Sequence, residues 1–151
     1  MKWFIASIIC LVCAWKVTAQ PVALDRLTET LDSLYLVGSY IDGEFLSRSL
    51  LLSNRQEIDD TSRATLELKL GMFHHELGKF AEAENAYLRA RDGYIKSHGE
   101  KSPEVAAVLS RLSVLFAEEG RYQDALEAAK RTDSLESTDE PTAQLHSPGL
   151  R

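Results

Sequence analysis

A repeated run of eight residues is the feature of this 151-residue sequence that most restricts its fold. Residues 76–83 (ELGKFAEA) return as residues 118–125 (EEGRYQDA), which places Gly78 and Gly120 at a spacing of 42 residues. Both runs have a glycine, one spacer residue and an aromatic residue. A weaker copy, Asp42-Gly43-Glu44-Phe45, precedes Gly78 by 35 residues, and its glycine predicts a third tight turn. A period of this length indicates a stack of similar units, each of which buries its apolar face against the next.

The segments between these glycines have helical spacing. Apolar side chains recur at steps of three and four residues, and no stretch alternates as a strand would. The first of three such stripes is Leu24, Leu27, Leu31 and Leu34; the second is Leu66, Leu70, Phe73 and Leu77; the third is Val105, Val108, Leu112 and Leu115.

Helix start and stop signals agree with the stripes. Asp59 or Asp60 can cap a helix over residues 61–77, and the run Ser102-Pro103-Glu104 has the order of cap, first-turn proline and acid that a helix start favours. Gly78 and Gly120 end two helices, and a further helical stretch follows each. The sequence therefore predicts an all-α chain built from helix–turn–helix hairpins.

These hairpins resemble tetratricopeptide repeats. The copy over residues 61–96 has the glycine and aromatic of the turn. His74 stands where the family usually has an aromatic, and we expect it to be a partly buried substitute for that ring. Its other matching residues are Leu70 and Gly71 as the close-contact pair, and Ala83, Tyr87 and Ala90 as the small–aromatic–small stripe of the second helix.

A second copy over residues 103–133 departs from the family pattern at Ser113 and Ala129, which predicts looser packing there. It keeps Leu112, Phe116, Gly120, Tyr122 and Ala125. The long period and the linker at residues 97–106 are similar to the longer repeats of kinesin light chains. The earliest copy, residues 24–55, keeps Gly43 and Phe45 but has Arg48 in place of the expected alanine.

The resemblance implies a short right-handed α-solenoid. We expect a degenerate first hairpin over residues 20–58, two repeats over residues 59–136 and a flexible tail over residues 137–151, which is polar and contains two prolines.

The N-terminal segment, residues 1–19, indicates export. Lys2 precedes an apolar run over residues 3–15, and Val17 and Ala19 suit the pocket of a signal peptidase that cleaves before Gln20. The run is shorter than the roughly 20 residues of a membrane-spanning helix. A retained membrane anchor is the alternative. A lipid anchor is disfavoured because the residue before Cys13 is not small. We therefore predict a secreted or periplasmic protein that is not stably inserted in a membrane after cleavage.

The mature chain is expected to lack cysteine, since both Cys10 and Cys13 lie in this leader. With 17 basic and 23 acidic residues the net charge is −6, which argues against nucleic acid as a partner. At 44% hydrophobic residues the chain can bury a core.

Enzyme chemistry finds little support in the sequence. His74, His75 and Glu76 are adjacent, so on a helix they point about 100° apart and cannot converge on one metal ion. The run at residues 99–102 (GEKS) lacks the residue order of a phosphate loop, and no nucleophile motif occurs in the mature chain. We predict a non-catalytic protein without a metal ion or cofactor.

The resemblance implies a concave groove lined by the first helix of each repeat. The predicted partner-binding residues are Lys69, Met72, His75 and Glu76 in one repeat and Ser110, Arg111, Val114 and Glu118 in the next. Lys69 and Arg111 are one repeat period apart and could together hold a carboxylate of a partner; ordinary solvated surface charges are the alternative.

The leading functional hypothesis is an exported module that binds a peptide or protein partner in this groove. The alternative is the N-terminal repeat region of a larger exported enzyme or signalling protein, and a small helical hydrolase is a third, weaker possibility. The sequence leaves the oligomeric state open.

Overall fold

The computed structural model describes residues 26–53 and 58–136, and it places six helices in these ranges and no strand. They are α1 (residues 26–36), α2 (Tyr40–Ser53), α3 (Asp60–Glu76), α4 (Phe80–His98), α5 (Pro103–Glu118) and α6 (Tyr122–Glu136). The prediction of an all-α chain is confirmed. The expected leader (residues 1–19) and tail (residues 137–151) lie outside the described residues.

Three hairpins, α1–α2, α3–α4 and α5–α6, turn in the same way. Their turns contain Gly38, Gly78 and Gly120, with φ of 76°, 70° and 75°. A left-handed φ of this kind is accessible to glycine at little cost, whereas a Cβ makes it strained. In each turn the residue after the glycine donates its N–H to a carbonyl five residues earlier; the bond from Lys79 to His74, for example, is 2.8 Å long. The three turns therefore share one backbone geometry, and their glycines recur at a nearly constant spacing along the chain.

The prediction that Gly43 marks the turn of the first hairpin is wrong. Gly43 lies inside α2 and is buried, and a Cβ on it would be 2.1 Å from the ring of Phe73. Glycine is needed at this position for close helix contact and not for a turn. The actual turn is Gly38-Ser39-Tyr40, which has the same glycine–spacer–aromatic pattern.

The corrected register also changes the other assignments in this hairpin. Gly43 now corresponds to Ala83 of the second hairpin, and Leu50 corresponds to Ala90. Arg48 therefore does not replace the expected alanine, and Phe45 is an exposed residue of α2 that takes no part in a turn.

The predicted close contact at Gly71 is confirmed. A Cβ on Gly71 would be 2.6 Å from the ring of Tyr87, which is fully buried. At the equivalent positions the third hairpin has Ser113 and Ala129, and the Ser113 hydroxyl donates to the carbonyl of Ala125 at 3.0 Å. The large ring of Tyr87 thus requires the smallest residue on the facing helix.

Helix α3 joins the two halves of the core. The larger cluster lies among α3, α4, α5 and α6 and includes all four residues of the predicted third stripe. The smaller cluster joins α1 and α2 to α3, and its buried members are Leu31, Leu50, Leu66 and Phe73. Because Leu66 and Phe73 come from α3, the first hairpin depends on that helix for its core.

Two predicted N-caps are confirmed. Asp59 accepts hydrogen bonds from the backbone N–H and the hydroxyl of Ser62 at 2.9 and 2.6 Å. Ser102 accepts from the N–H of Val105 at 3.3 Å, directly before Pro103. These caps fix where α3 and α5 begin.

We expect Asp59→Ala to lower the free energy of unfolding at pH 7 by about 1 kcal/mol, the usual cost of losing such a cap. The hydrogen bonds from Ser62 hold the pKa of Asp59 below its ordinary value. This contribution is therefore present above the unfolded-state pKa of about 3.9 and is lost as the pH falls through the lower folded-state pKa. Urea unfolding at pH 7 and at lower pH should show that the difference in free energy of unfolding between the original chain and Asp59→Ala becomes smaller as the pH falls. Asp59→Asn is the control, because it keeps a capping oxygen that does not titrate.

Candidate partner-binding surface

The eight predicted groove residues lie on α3 and α5, the first helices of the second and third hairpins. The structure adds Asp32 and Tyr35 from α1, which contact α3 on the same side. We refer to the surface formed by these ten side chains as the inner face. It comprises Asp32, Tyr35, Lys69, Met72, His75, Glu76, Ser110, Arg111, Val114 and Glu118.

Two polar contacts connect α1 to α3 across the inner face. The ammonium group of Lys69 forms an ion pair with the carboxylate of Asp32. The hydroxyl of Tyr35 donates to Oε1 of Glu76 at 2.6 Å. Both contacts join residues that are about one repeat apart in the chain, so they fix the first helix of one hairpin against that of the next.

A third polar contact connects α3 to α5. Nε2 of His75 lies 2.9 Å from Oε2 of Glu118. The imidazole also meets two aromatic rings edge-on, with centroid distances of 5.8 Å to Phe80 and 6.5 Å to Tyr87. His75 is thereby held in one orientation, with one side of its ring on the core and one nitrogen at the inner face.

Arg111 influences two tyrosines of this region through its charge. Burial, followed by the hydrogen bond to Glu76, raises the pKa of Tyr35, and the charge of Arg111 acts in the opposite direction. Burial also raises the pKa of Tyr87 far above its ordinary value, again opposed by Arg111. The guanidinium group therefore lies within electrostatic range of both hydroxyls.

The two predicted cations are in different surroundings although they are one repeat apart. Lys69 is half-buried and neutralised by Asp32. Arg111 is exposed and forms no ion pair within the part of the chain that the structure describes. Its neighbours on α5, Ser110 and Val114, are exposed as well. The accessible cation of the inner face is thus Arg111.

The remaining predicted residues differ in how accessible they are. Met72 is half-buried and packs against the larger core cluster. Glu76 and Glu118 are exposed, although each accepts one hydrogen bond from a neighbouring first helix. Both carboxylates keep acceptor capacity for a further donor, since an ionised carboxylate has two oxygens.

The sequence pattern does not reveal Asp32 and Tyr35, because it predicts the turn of the first hairpin at Gly43 and so gives these residues the wrong register. With the turn at Gly38, Tyr35 corresponds to His75 of the second hairpin, and Asp32 corresponds to Met72. The pattern Gly38-Ser39-Tyr40 was the available signal for this register.

His74 and His75 point into different environments, as their adjacency on a helix requires. His74 is buried, in agreement with its prediction as a partly buried replacement for an aromatic, and its Nε2 lies 3.3 Å from Oε1 of Glu44. The carboxylate of Glu44 accepts hydrogen bonds from Lys79 at 2.6 Å and from Arg48 at 3.0 Å, whereas neither ring nitrogen of His74 has a hydrogen-bond partner among the described residues. The hydrogen bond from Lys79 is the main cause that lowers the pKa of Glu44.

Among the described residues there is no group of three side chains placed to bind a metal ion.

Residues 62–132 match the family model of the tetratricopeptide repeat, and this range covers most of α3 and α6 and all of α4 and α5. The fold is similar to the crystal structure of BtubC (BKLC) from P. vanneervenii, with a TM-score of 0.71 and 21% sequence identity. The similarity covers 79% of this chain and 48% of BtubC, so the chain spans about half the length of that protein. No curated protein matches the sequence.

The helix arrangement and the similarity to BtubC establish a short all-α solenoid of helical repeats, as the sequence predicted. The repeat that residues 62–132 match is typical of protein–protein interaction modules. No helix among the described residues has the length and apolar character needed to cross a membrane.

Proposed function

We propose that this protein is an exported, non-catalytic tetratricopeptide module that binds a peptide or protein partner along its inner face. The observation that carries the proposal is the exposed side chain of Arg111, which acts on the Tyr87 hydroxyl together with the carboxylates of Glu76 and Glu118. These groups lie on a face held together by bonds between successive first helices. Charged groups at fixed positions on an accessible surface can orient an extended chain by its own charges.

The rigidity of the inner face supports this function. The ion pair of Lys69 with Asp32, the bond of Tyr35 to Glu76 and the contact of His75 with Glu118 each join neighbouring hairpins. A surface that is already ordered loses less conformational entropy on binding than a flexible one. A partner therefore meets two carboxylates, of Glu76 and Glu118, that are already held in place, with the accessible cation of Arg111 on the same face.

The charges also define the partner. A carboxylate of the partner can accept hydrogen bonds from Arg111, and a donor such as an amine or amide can reach Glu76 or Glu118. A uniformly acidic ligand would be repelled by the two glutamates. We therefore propose a peptide segment that carries both an acidic group and a hydrogen-bond donor a few residues apart.

Export is proposed from the leader at residues 1–19, and it has a direct test. We expect the protein recovered from outside the cytoplasm to begin at Gln20, as read by mass spectrometry of its N-terminal peptide. Recovery of the chain with Met1 or residues 3–15 still present would contradict the cleavage.

We expect Arg111→Ala to weaken partner binding about tenfold or more, because a hydrogen bond to a charged group contributes about 1.5–3 kcal/mol. Lys69→Ala should have a smaller effect, since Asp32 already neutralises Lys69. The partner would be captured with the mature protein from the compartment in which the protein accumulates, and its affinity measured by calorimetry. Lys130→Ala is the control, because it removes an exposed cation from α6, outside the inner face. If affinity is unchanged in both Lys69→Ala and Arg111→Ala, the inner face is not the binding surface.

A further inference from the structure

Helix α2 exposes a line of large apolar side chains to solvent. Ile41, Phe45 and Leu52 are 72%, 73% and 64% exposed. They follow one another at steps of four and seven residues, so they lie along one side of the helix. Arg48 is also exposed and lies on that side between Phe45 and Leu52. We call these four residues the α2 stripe.

The other hairpins have no such stripe at the equivalent positions. In place of Ile41, Phe45 and Leu52, helix α4 has Ala81, Asn85 and Asp92, and helix α6 has Gln123, Glu127 and Ser134. All six of these residues are exposed. The fold itself therefore does not need apolar residues here, and exposed apolar side chains in line are typical of an interaction surface.

We propose that two copies of this chain associate through the α2 stripe, with the two α2 helices antiparallel about a two-fold axis. An axis that passes between Phe45 and Arg48 places Ile41 opposite the partner's Leu52, so that apolar residues meet at both ends. It also places Phe45 opposite the partner's Arg48, and a guanidinium group over an aromatic ring is attractive. A parallel arrangement would set the two Arg48 side chains against each other.

The charges beside the stripe fit the same arrangement. Asp42 is exposed and precedes Phe45 by three residues, so it lies about one helical turn away. From that position its carboxylate can reach the partner's Arg48, whose guanidinium group has further N–H donors beside the one bonded to Glu44 of its own helix. The surface of one α2 helix is thus complementary to itself, which is the requirement for a two-fold interface between identical chains.

The α2 stripe is separate from the inner face, which comprises side chains of α1, α3 and α5. Association of two copies would therefore leave both inner faces accessible, and the inference does not depend on the proposed function. Other occupants of the stripe would be residues 1–25 of the same chain, which contain the apolar run, or a different protein.

The test begins with sedimentation velocity of the protein expressed from its full coding sequence, with the N-terminus determined by mass spectrometry. We expect a species of twice the chain mass. Phe45→Lys should raise the dissociation constant of the dimer about thirtyfold or more, with unchanged circular dichroism, because it removes a central interface residue and sets a second cation against the partner's Arg48. Asn85→Lys makes a similar change at the equivalent position of α4 and should leave the dimer intact.

Three results would overturn the proposal. The first is a protein that stays monomeric at concentrations up to about 100 μM. This would contradict the proposal whether residues 1–25 or another bound protein covers the α2 stripe. Another is a dimer that Phe45→Lys leaves unchanged. The third is equal dissociation by Phe45→Lys and Asn85→Lys.

Cysteine cross-linking tests the orientation. In a chain with Cys10 and Cys13 replaced by serine, Ile41→Cys together with Leu52→Cys should give covalent dimers on oxidation, because these two positions face each other across the axis. Neither substitution alone should do so. Equally efficient cross-linking by Ile41→Cys alone would contradict the antiparallel arrangement.

Discussion

Replacing Phe73 with alanine is expected to lower the free energy of unfolding by about 3–5 kcal/mol, the usual cost of truncating a fully buried aromatic. Phe73 belongs to α3 but packs in the smaller core cluster, between α1 and α2. Its loss should therefore loosen the first hairpin before the other two. Urea unfolding gives the magnitude, and hydrogen exchange should show the loss of protection concentrated in residues 26–53.

The contact between Phe73 and Gly43 provides a sharper test by a double-mutant cycle. In the original chain Gly43→Ala should destabilise the protein by about 1–3 kcal/mol, because its Cβ would lie 2.1 Å from the phenyl ring. In the Phe73→Ala chain the ring is absent, and the same substitution should be neutral or stabilising, since alanine favours a helix over glycine by about 1 kcal/mol. An equal cost of Gly43→Ala in both chains would show that the two residues do not pack together.

Gly43 also shows where sequence reasoning succeeds and where it fails. The turns at Gly78 and Gly120 could be predicted because apolar helices of regular period flank each of them. In the first hairpin two glycines, Gly38 and Gly43, are each followed two residues later by an aromatic. The choice between them depends on which glycine has a positive φ and which faces the ring of Phe73, and neither is encoded in the local pattern.

The candidate site was predictable to a similar extent. The recurrence of Lys69 and Arg111 at the repeat period places both on the first helices, and the structure agrees. The pairing of Lys69 with Asp32 could not be read from the sequence, because it depends on the register between α1 and α3. The difference in surroundings between two equivalent cations is thus a tertiary property.

Replacing Tyr87 with alanine is expected to cost about 3–5 kcal/mol as well, whereas Tyr87→Phe should cost little or nothing at pH 7. The ring is fully buried against Gly71, so its removal leaves a cavity in the second hairpin. The hydroxyl has no hydrogen-bond partner among the described residues, so its removal forfeits no bond. Urea unfolding measures both variants, with Tyr122→Ala as the control because Tyr122 is exposed. A large loss of stability in Tyr87→Phe would show that the hydroxyl is bonded in solution.

The pH dependence of the same variants separates the ring from the hydroxyl. Burial raises the pKa of Tyr87 above its ordinary value of 10.0, so the folded chain keeps this proton at a pH where the unfolded chain releases it. The free energy of unfolding is therefore unaffected by this group below about pH 10 and falls as the pH rises above it, by at most about 1.4 kcal/mol per pH unit, because only the unfolded chain releases the proton. Tyr87→Phe lacks this titration, and its free energy of unfolding should fall less steeply than that of the original chain above pH 10. If the free energy of unfolding falls equally steeply above pH 10 in the original chain and in Tyr87→Phe, the Tyr87 hydroxyl must reach solvent. The inner face would then have to open in solution.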